Sequence, residues 1–245
     1  LTTQLLADSF RATKLKHMDS GALVFAILHE VDSTRVDEVQ LRASLELATA
    51  AHLSQTRIGR DGYPVDPYIV HPLRNVLRLI RLGCADTDVL SATALHDTVE
   101  DQPEQIVSIL SGVETTNTDV ALRLIAEHFS DETARLVASV TNTPTDSTLS
   151  RSERNDAYAG HVETVISDPK VFLVKYADFV DNAGSVQYLD DDAKREKLSK
   201  KYAPLVPIFS SALESLDGRV DLDKDGVDAI RARLVALSES LGEAH

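Results

Sequence analysis

One cysteine, Cys84, occurs among the 245 residues. A single thiol excludes an internal disulfide framework and a cysteine-based zinc site, and leaves Cys84 as a small core or loop residue. No apolar run is long enough to span a bilayer, and no basic stretch followed by an apolar one opens the chain as a secretory signal would. The expected location is therefore cytoplasmic, with no membrane partner. Positive charge is scarce as well: 25 Lys and Arg stand against 39 Asp and Glu, for a formal charge of −14. That balance argues against nucleic acid as a partner, because phosphate contacts need a basic surface. An anionic small molecule has to be met locally, by a metal ion or by a few placed cations.

Strand-like alternation bounded by turn residues is also scarce, and no internal repeat is evident. What recurs is the helical period. With 43% hydrophobic residues, the chain is expected to fold as one all-α domain around a single core over 36–190, with helical extensions over 1–35 and 191–245. Helices are predicted over 5–16, 20–29, 36–55, 68–82, 104–110, 119–129, 131–140, 152–166 and 169–189, with a further helix entering at Thr87 and running through His96 and Asp97. Loops rich in Gly, Asp, Pro, Ser and Thr are predicted over 58–67 and 142–150. The charged stretch 190–201 leads into a C-terminal pair of helices split over 217–226. Their apolar positions, among them Leu205, Leu213, Ile230 and Leu234, complete the core or build the surface of a homo-oligomer. Within 217–226, Asp221, Asp223, Asp225 and Gly226 imitate a calcium loop, but the twelfth position is Ala232 where such a loop needs glutamate, so a solvated turn is expected.

The densest chemistry lies in residues 94–101, where His96, Asp97, Glu100 and Asp101 follow the apolar Val89, Leu90, Ala92, Ala94 and Leu95. Burying such groups costs several kcal/mol per unpaired ion, in order of magnitude, unless a cation or hydrogen bonds compensate. The helical repeat pairs His96 with Glu100 and Asp97 with Asp101. Two more places offer partners: His71 at the start of an apolar helix, and Asp178 at the end of the apolar run 171–178. Two imidazoles and two carboxylates form a mixed set suited to Mn²⁺, Fe²⁺ or Zn²⁺.

The order His71, His96-Asp97, Asp178 resembles that of the HD phosphohydrolase superfamily. The flanking words, Ala51-His52-Leu53-Ser54-Gln55-Thr56-Arg57, Pro67-Tyr68-Ile69-Val70-His71-Pro72, 94–101, 129–141 and 174–185, resemble the hydrolase domain of RelA/SpoT proteins, especially the stand-alone small alarmone hydrolases related to the metazoan SpoT homolog. The resemblance implies a helical HD-domain bundle with extra N- and C-terminal helices, and one Mn²⁺ per chain bound by His71, His96, Asp97 and Asp178. It implies Glu100 and Asp101 as the acid/base pair, and Arg57, Lys175, Asn182 and Ser185 as contacts to a small-molecule nucleotide. The reaction it implies releases pyrophosphate from the ribose 3′ position of a guanosine alarmone, ppGpp or pppGpp, giving GDP or GTP. The chain departs from the family pattern where a basic residue commonly follows Arg57 and Asp178 and where an arginine commonly lies between Asn182 and Ser185; Ile58, Phe179 and Gly184 stand there. Another nucleotide therefore stays open, an adenosine alarmone (p)ppApp or a 3′- or 2′-phosphorylated nucleotide such as NADPH. So do a two-metal variant using His128 or His161 and a non-catalytic nucleotide sensor.

Overall fold

Aspartate, asparagine and serine write most of the helix starts in this chain. Asp19, Asp37, Asp86, Asn117, Ser130, Ser150, Asp168 and Asp191 each accept a hydrogen bond from a backbone N–H of the turn that follows, satisfying donors that have no partner inside the helix. The computed structural model describes residues 2–58, 65–142, 148–216 and 218–242. They divide into two compact units, residues 1–141 and 142–245.

The first unit holds α1 (Thr2–Ala12), α2 (Ser20–Glu30), α3 (Glu38–Ala51), β1 (Thr56–Ile58), β2 (Val65–Pro67), α4 (Val70–Arg81), α5 (Thr87–Leu95), α6 (Thr98–Asp101), α7 (Pro103–Ser111), α8 (Thr118–His128) and α9 (Asp131–Val140). Helix α5 lies at its centre, packed on α3, α4 and α9, and every residue from Val89 to Leu95 is buried. A polar knot fixes the register of three helices: the Asp88 carboxylate on α5 accepts from Gln40 of α3 at 3.2 Å, from Ser130 at 2.5 Å and from Thr133 of α9 at 2.8 Å. Helix α4 ends where Gly83 takes φ 90°, so that Cys84 N–H reaches the Leu79 carbonyl at 3.0 Å and closes the last turn. Cys84 is buried there.

The second unit holds α10 (Arg151–Val165), α11 (Pro169–Ser185), α12 (Asp192–Tyr202), α13 (Leu205–Ser215) and α14 (Lys224–Gly242). Its core is aromatic. Phe209 of α13 stacks on Phe179 at 4.8 Å between centroids and meets Phe172 and Tyr176 edge-on at 5.7 and 6.3 Å. Phe209→Ala should therefore lower stability by about 3–5 kcal/mol, read as a reduced denaturant midpoint of the intact chain; a midpoint equal to wild type would mean that the cluster collapses around the loss.

The all-α class is found, with several departures from the predicted elements. The helix through His96 is interrupted: α5 ends at Leu95, His96 and Asp97 form a turn, and α6 restarts at Thr98. Side chains take the carbonyls this break exposes, His96 Nδ1 bonding Thr93 O and Thr98 Oγ1 donating to Leu95 O. The predicted loop over 58–67 carries a short antiparallel ladder that pairs Thr56 with Pro67, Arg57 with Asp66 and Ile58 with Val65. Its joining residues 59–64, including Arg60 and Asp61, lie outside the described residues, as do 143–147 of the second predicted loop. The charged stretch after Asp190 is itself helical, α12. In the calcium-like segment, the Asp223 carboxylate accepts from Gly226 N–H at 2.8 Å at the start of α14, which makes the segment a helix start. No helix among the described residues is long and apolar enough to cross a membrane.

Candidate metal centre

The break between α5 and α6 is what forms the centre in the first unit. A continuous helix would fan successive side chains around its axis, 100° apart. The turn instead lets His96 and Asp97, neighbours in sequence, face His71 at the start of α4. One ligand atom from each of these three residues lies within 4.8 Å of the other two. Asp97 Oδ2 is 3.1 Å from His96 Nε2 and 3.6 Å from His71 Nε2, and both imidazoles are buried. Among the described residues this is the group of His, Cys, Asp or Glu whose donor atoms converge as a metal ion requires; His128 and His161 are not in it.

The surroundings decide which atoms face inward. The Thr93 carbonyl can only accept, so His96 Nδ1 carries the proton at 2.9 Å and Nε2 presents its lone pair. Asn75 Nδ2 lies 3.4 Å from the same His71 Nε2 that faces Asp97, and Arg78 donates to Asn75 Oδ1 at 2.7 Å. Tyr68 donates its hydroxyl proton to Asp97 Oδ2 at 2.5 Å. Burial, and then the Asp97 charge, push the Tyr68 phenol above its ordinary range, so it remains a donor. A carboxylate oxygen flanked by two buried imidazole nitrogens matches the donor set of a divalent first-row ion.

Glu100 and Asp101 follow on α6, one turn beyond Asp97, and Asp101 N–H reaches the Asp97 carbonyl at 2.9 Å. Both carboxylates remain accessible to solvent. Partial burial and the neighbouring Asp97 charge raise the Asp101 pKa, while a hydrogen bond from the Gln55 side chain works in the opposite direction. Arg57 lies on β1 with its guanidinium carbon 5.8 Å from the Tyr68 ring centroid, which places a planar cation beside the centre.

In the second unit, Lys175, Asp178, Asn182 and Ser185 lie three, four and three residues apart on α11, one face of the helix. Asn182 donates to Asp178 Oδ1 at 2.5 Å and fixes its rotamer; Ser185 Oγ donates to the Asp181 carbonyl at 2.5 Å. Lys175 is buried to 4% exposure. Burial, and then the Lys175 charge, lower the His161 pKa on α10.

Comparison with known families aligns residues 44–206 with the HD domain. The chain belongs to the HD-domain family. Among relatives of this HD chain, the guanosine-3′,5′-bis(diphosphate) 3′-pyrophosphohydrolase of Aquifex aeolicus is 31% identical over 170 residues, 68% of this chain and 21% of that protein. The guanosine-3′,5′-bis(diphosphate) 3′-pyrophosphohydrolase MESH1 of Homo sapiens is 33% identical over 144 residues, 58% of this chain and 66% of that one. The MESH1 of Xenopus tropicalis is 32% identical over 183 residues, 72% of this chain and 90% of that protein. The chain thus spans about a fifth of the Aquifex relative and most of the Xenopus one.

The positions where this HD chain lacks expected cations have packing reasons. Phe179 is buried in the aromatic core against Phe209 and Tyr202. A Cβ at Gly184 would fall 2.5 Å from Arg233 Nη2, so the glycine leaves room for a guanidinium that arrives from α14. Sequence reasoning missed the role of Tyr68. Its signal was present, because an aromatic hydroxyl three residues before a candidate ligand histidine at a helix start can turn back toward the same site. Removing that hydroxyl in Tyr68→Phe should weaken metal affinity or activity by roughly 10- to 100-fold, measured by calorimetric Mn²⁺ titration beside turnover; wild-type values in both would make the bond incidental.

Proposed function

We propose that this HD chain is a Mn²⁺-dependent hydrolase that removes the 3′-pyrophosphate from a guanosine alarmone, ppGpp or pppGpp, to give GDP or GTP. The observation that carries the reading is the convergence of His71, His96 and Asp97 at the break between α5 and α6, with Glu100 and Asp101 one turn further on. The names of the relatives and the order of the motifs support it. In this reading Asp178 is a further ligand and each chain holds one ion. Such an ion supplies Lewis-acid stabilisation of a phosphoryl oxygen and makes water acidic enough to act near neutral pH.

The residues divide the remaining work. Glu100 accepts the proton of the attacking water, and Asp101 orients that water or relays its proton. The water oxygen bonds to the phosphorus carried by the ribose 3′ oxygen; the bond between that phosphorus and the 3′ oxygen breaks; the 3′ oxygen leaves with a proton. Arg57 stacks on or bonds the base, Lys175 supports the phosphates, and Asn182 and Ser185 hold the nucleotide. The substrate is a small molecule; neither nucleic acid nor membrane is a partner, and the setting is cytoplasmic. Residues 36–190 form the HD core of one domain, with helical extensions on either side.

A second reading, hydrolysis of an adenosine alarmone or of a 2′- or 3′-phosphorylated nucleotide such as NADPH, is favoured by Phe179 and Gly184, which remove two cations from the nucleotide shell. The test incubates the Mn²⁺-loaded protein with ppGpp, pppGpp, their adenosine counterparts and NADPH, and separates the products by ion-exchange chromatography. Pyrophosphate with GDP or GTP is expected. Orthophosphate from NADPH alone, or pyrophosphate from the adenosine compounds alone, would move the protein to the second reading, and binding without any product would make it a sensor.

A further inference from the structure

Two residues ahead of β1 tie one of the acidic groups to the protein frame. His52 caps the C-terminus of α3 and is buried to 2% exposure. Its Nδ1 bonds Gln55 Oε1, and its Nε2 is buried with no hydrogen-bond partner among the described residues. The Gln55 side chain also hydrogen-bonds the Asp101 carboxylate. A carboxylate only accepts, so the Gln55 NH₂ must face Asp101, which turns Oε1 toward His52 and places the ring proton on Nδ1. The amide is thereby held from both ends. Its backbone is held too: Gln55 N–H reaches the His52 carbonyl at 3.0 Å, and Tyr68 N–H reaches the Gln55 carbonyl at 3.0 Å. The imidazole packs 4.7 Å from the Tyr68 ring, whose hydroxyl is on Asp97.

The imidazole thus stays buried with one nitrogen unsatisfied, and the side-chain hydrogen bond it makes goes to Gln55. A packing residue of similar volume would carry no such cost. Burial, and then the bond to Gln55, set the His52 proton affinity in opposite senses, with the net shift downward; the ring is the neutral donor that this arrangement needs.

We propose that Gln55 is a positioning residue for Asp101, and that His52 is the donor that keeps the Gln55 amide turned toward it. The inference rests on the acid/base role given above to Asp101. Asp101 stands on a four-residue helix with an accessible side chain, so the rotamer that addresses the attacking water has to be selected from outside α6. Gln55 does this with one N–H, without adding charge beside Asp97.

The test compares Gln55→Glu, Gln55→Met, His52→Leu and His52→Asn with wild type on whichever nucleotide the wild type cleaves. Gln55→Met and Gln55→Glu should each lower kcat by about 10- to 100-fold, the second because it sets a carboxylate against Asp101, with KM and Mn²⁺ affinity within about twofold of wild type. His52→Leu fills the space without a donor and should match Gln55→Met, while His52→Asn, which keeps a donor near the Nδ1 position, should recover part of the loss. In an Asp101→Asn background, Gln55→Met should cost nothing further, since coupled residues do not add. Wild-type kcat in the Gln55 variants, a full additional loss in the Asp101→Asn background, or a loss confined to KM or metal affinity would each overturn the proposal. A second readout needs no turnover: in ¹H–¹⁵N spectra of the protein free of paramagnetic ions, the Gln55 side-chain amide should be shifted by its bond to Asp101 and should move in Asp101→Asn and His52→Leu. An amide unmoved by both variants would overturn the link even if the enzyme is active. A wild type silent on every nucleotide would remove the hydrolase reading while leaving this spectroscopic link to stand or fall alone.

Discussion

Replacing His96 by alanine is expected to abolish stoichiometric Mn²⁺ binding and to lower kcat/KM by at least about a thousand-fold, since the Lewis acid supplies several kcal/mol of transition-state stabilisation and each ~1.4 kcal/mol is a decade. His96 offers its Nε2 lone pair because Thr93 O holds the Nδ1 proton at 2.9 Å, so the substitution removes both a donor and the side chain that closes the end of α5. The second loss bears on folding, so the measurement pairs metal analysis of dialysed protein with a thermal melt. Asp97→Asn supplies a second ligand variant that preserves volume beside Tyr68 and should bind Mn²⁺ at least about tenfold more weakly. A folded His96→Ala protein that retains one equivalent of metal and wild-type turnover would remove His96 from the ligand set.

Glu100→Gln is expected to separate chemistry from binding. The neutral amide keeps the shape of the side chain but cannot take a proton, so kcat should fall by about 10²- to 10⁴-fold while Mn²⁺ affinity and KM change little. Glu100 is solvent-accessible on α6, so the substitution should leave the melting temperature near that of wild type. If Glu100→Gln turns over normally while Asp101→Asn does not, the roles of the two carboxylates are exchanged. Weakened metal binding in Glu100→Gln would point instead to a ligand role.

Much of the fold could be read locally. Helix α9 was predicted with the bounds it has, because Ser130 caps it and its apolar residues repeat at helical spacing. The candidate ligands His71, His96 and Asp97 were legible as an unusual density of polar groups in apolar surroundings. What escaped were features that depend on distant partners or on bond direction. The break at His96 and Asp97 reads as continuous helix in sequence, because propensity cannot show that Thr98 Oγ1 and His96 Nδ1 will take over the α5 carbonyls. The three-residue strands flanking the 59–64 segment are too short for alternation to register. The charged α12 lacks an apolar stripe broad enough to signal helix, though Asp191 caps it and Lys200 pairs with Glu196 at 2.5 Å. Phe179 and Gly184 looked like missing cations; their packing against Phe209 and beneath Arg233 emerges only in three dimensions. Likewise, nothing in the order of His52, Gln55 and Asp101 says that one amide joins the other two.

The most direct test of the proposed chemistry is hydrolysis of ppGpp by the Mn²⁺-loaded protein in ¹⁸O-enriched water, with mass spectrometry of both products. Attack on the phosphorus carried by the 3′ oxygen places one ¹⁸O in the released pyrophosphate and none in GDP. Label in the GDP ribose, release of orthophosphate in place of pyrophosphate, or intact ppGpp would contradict it.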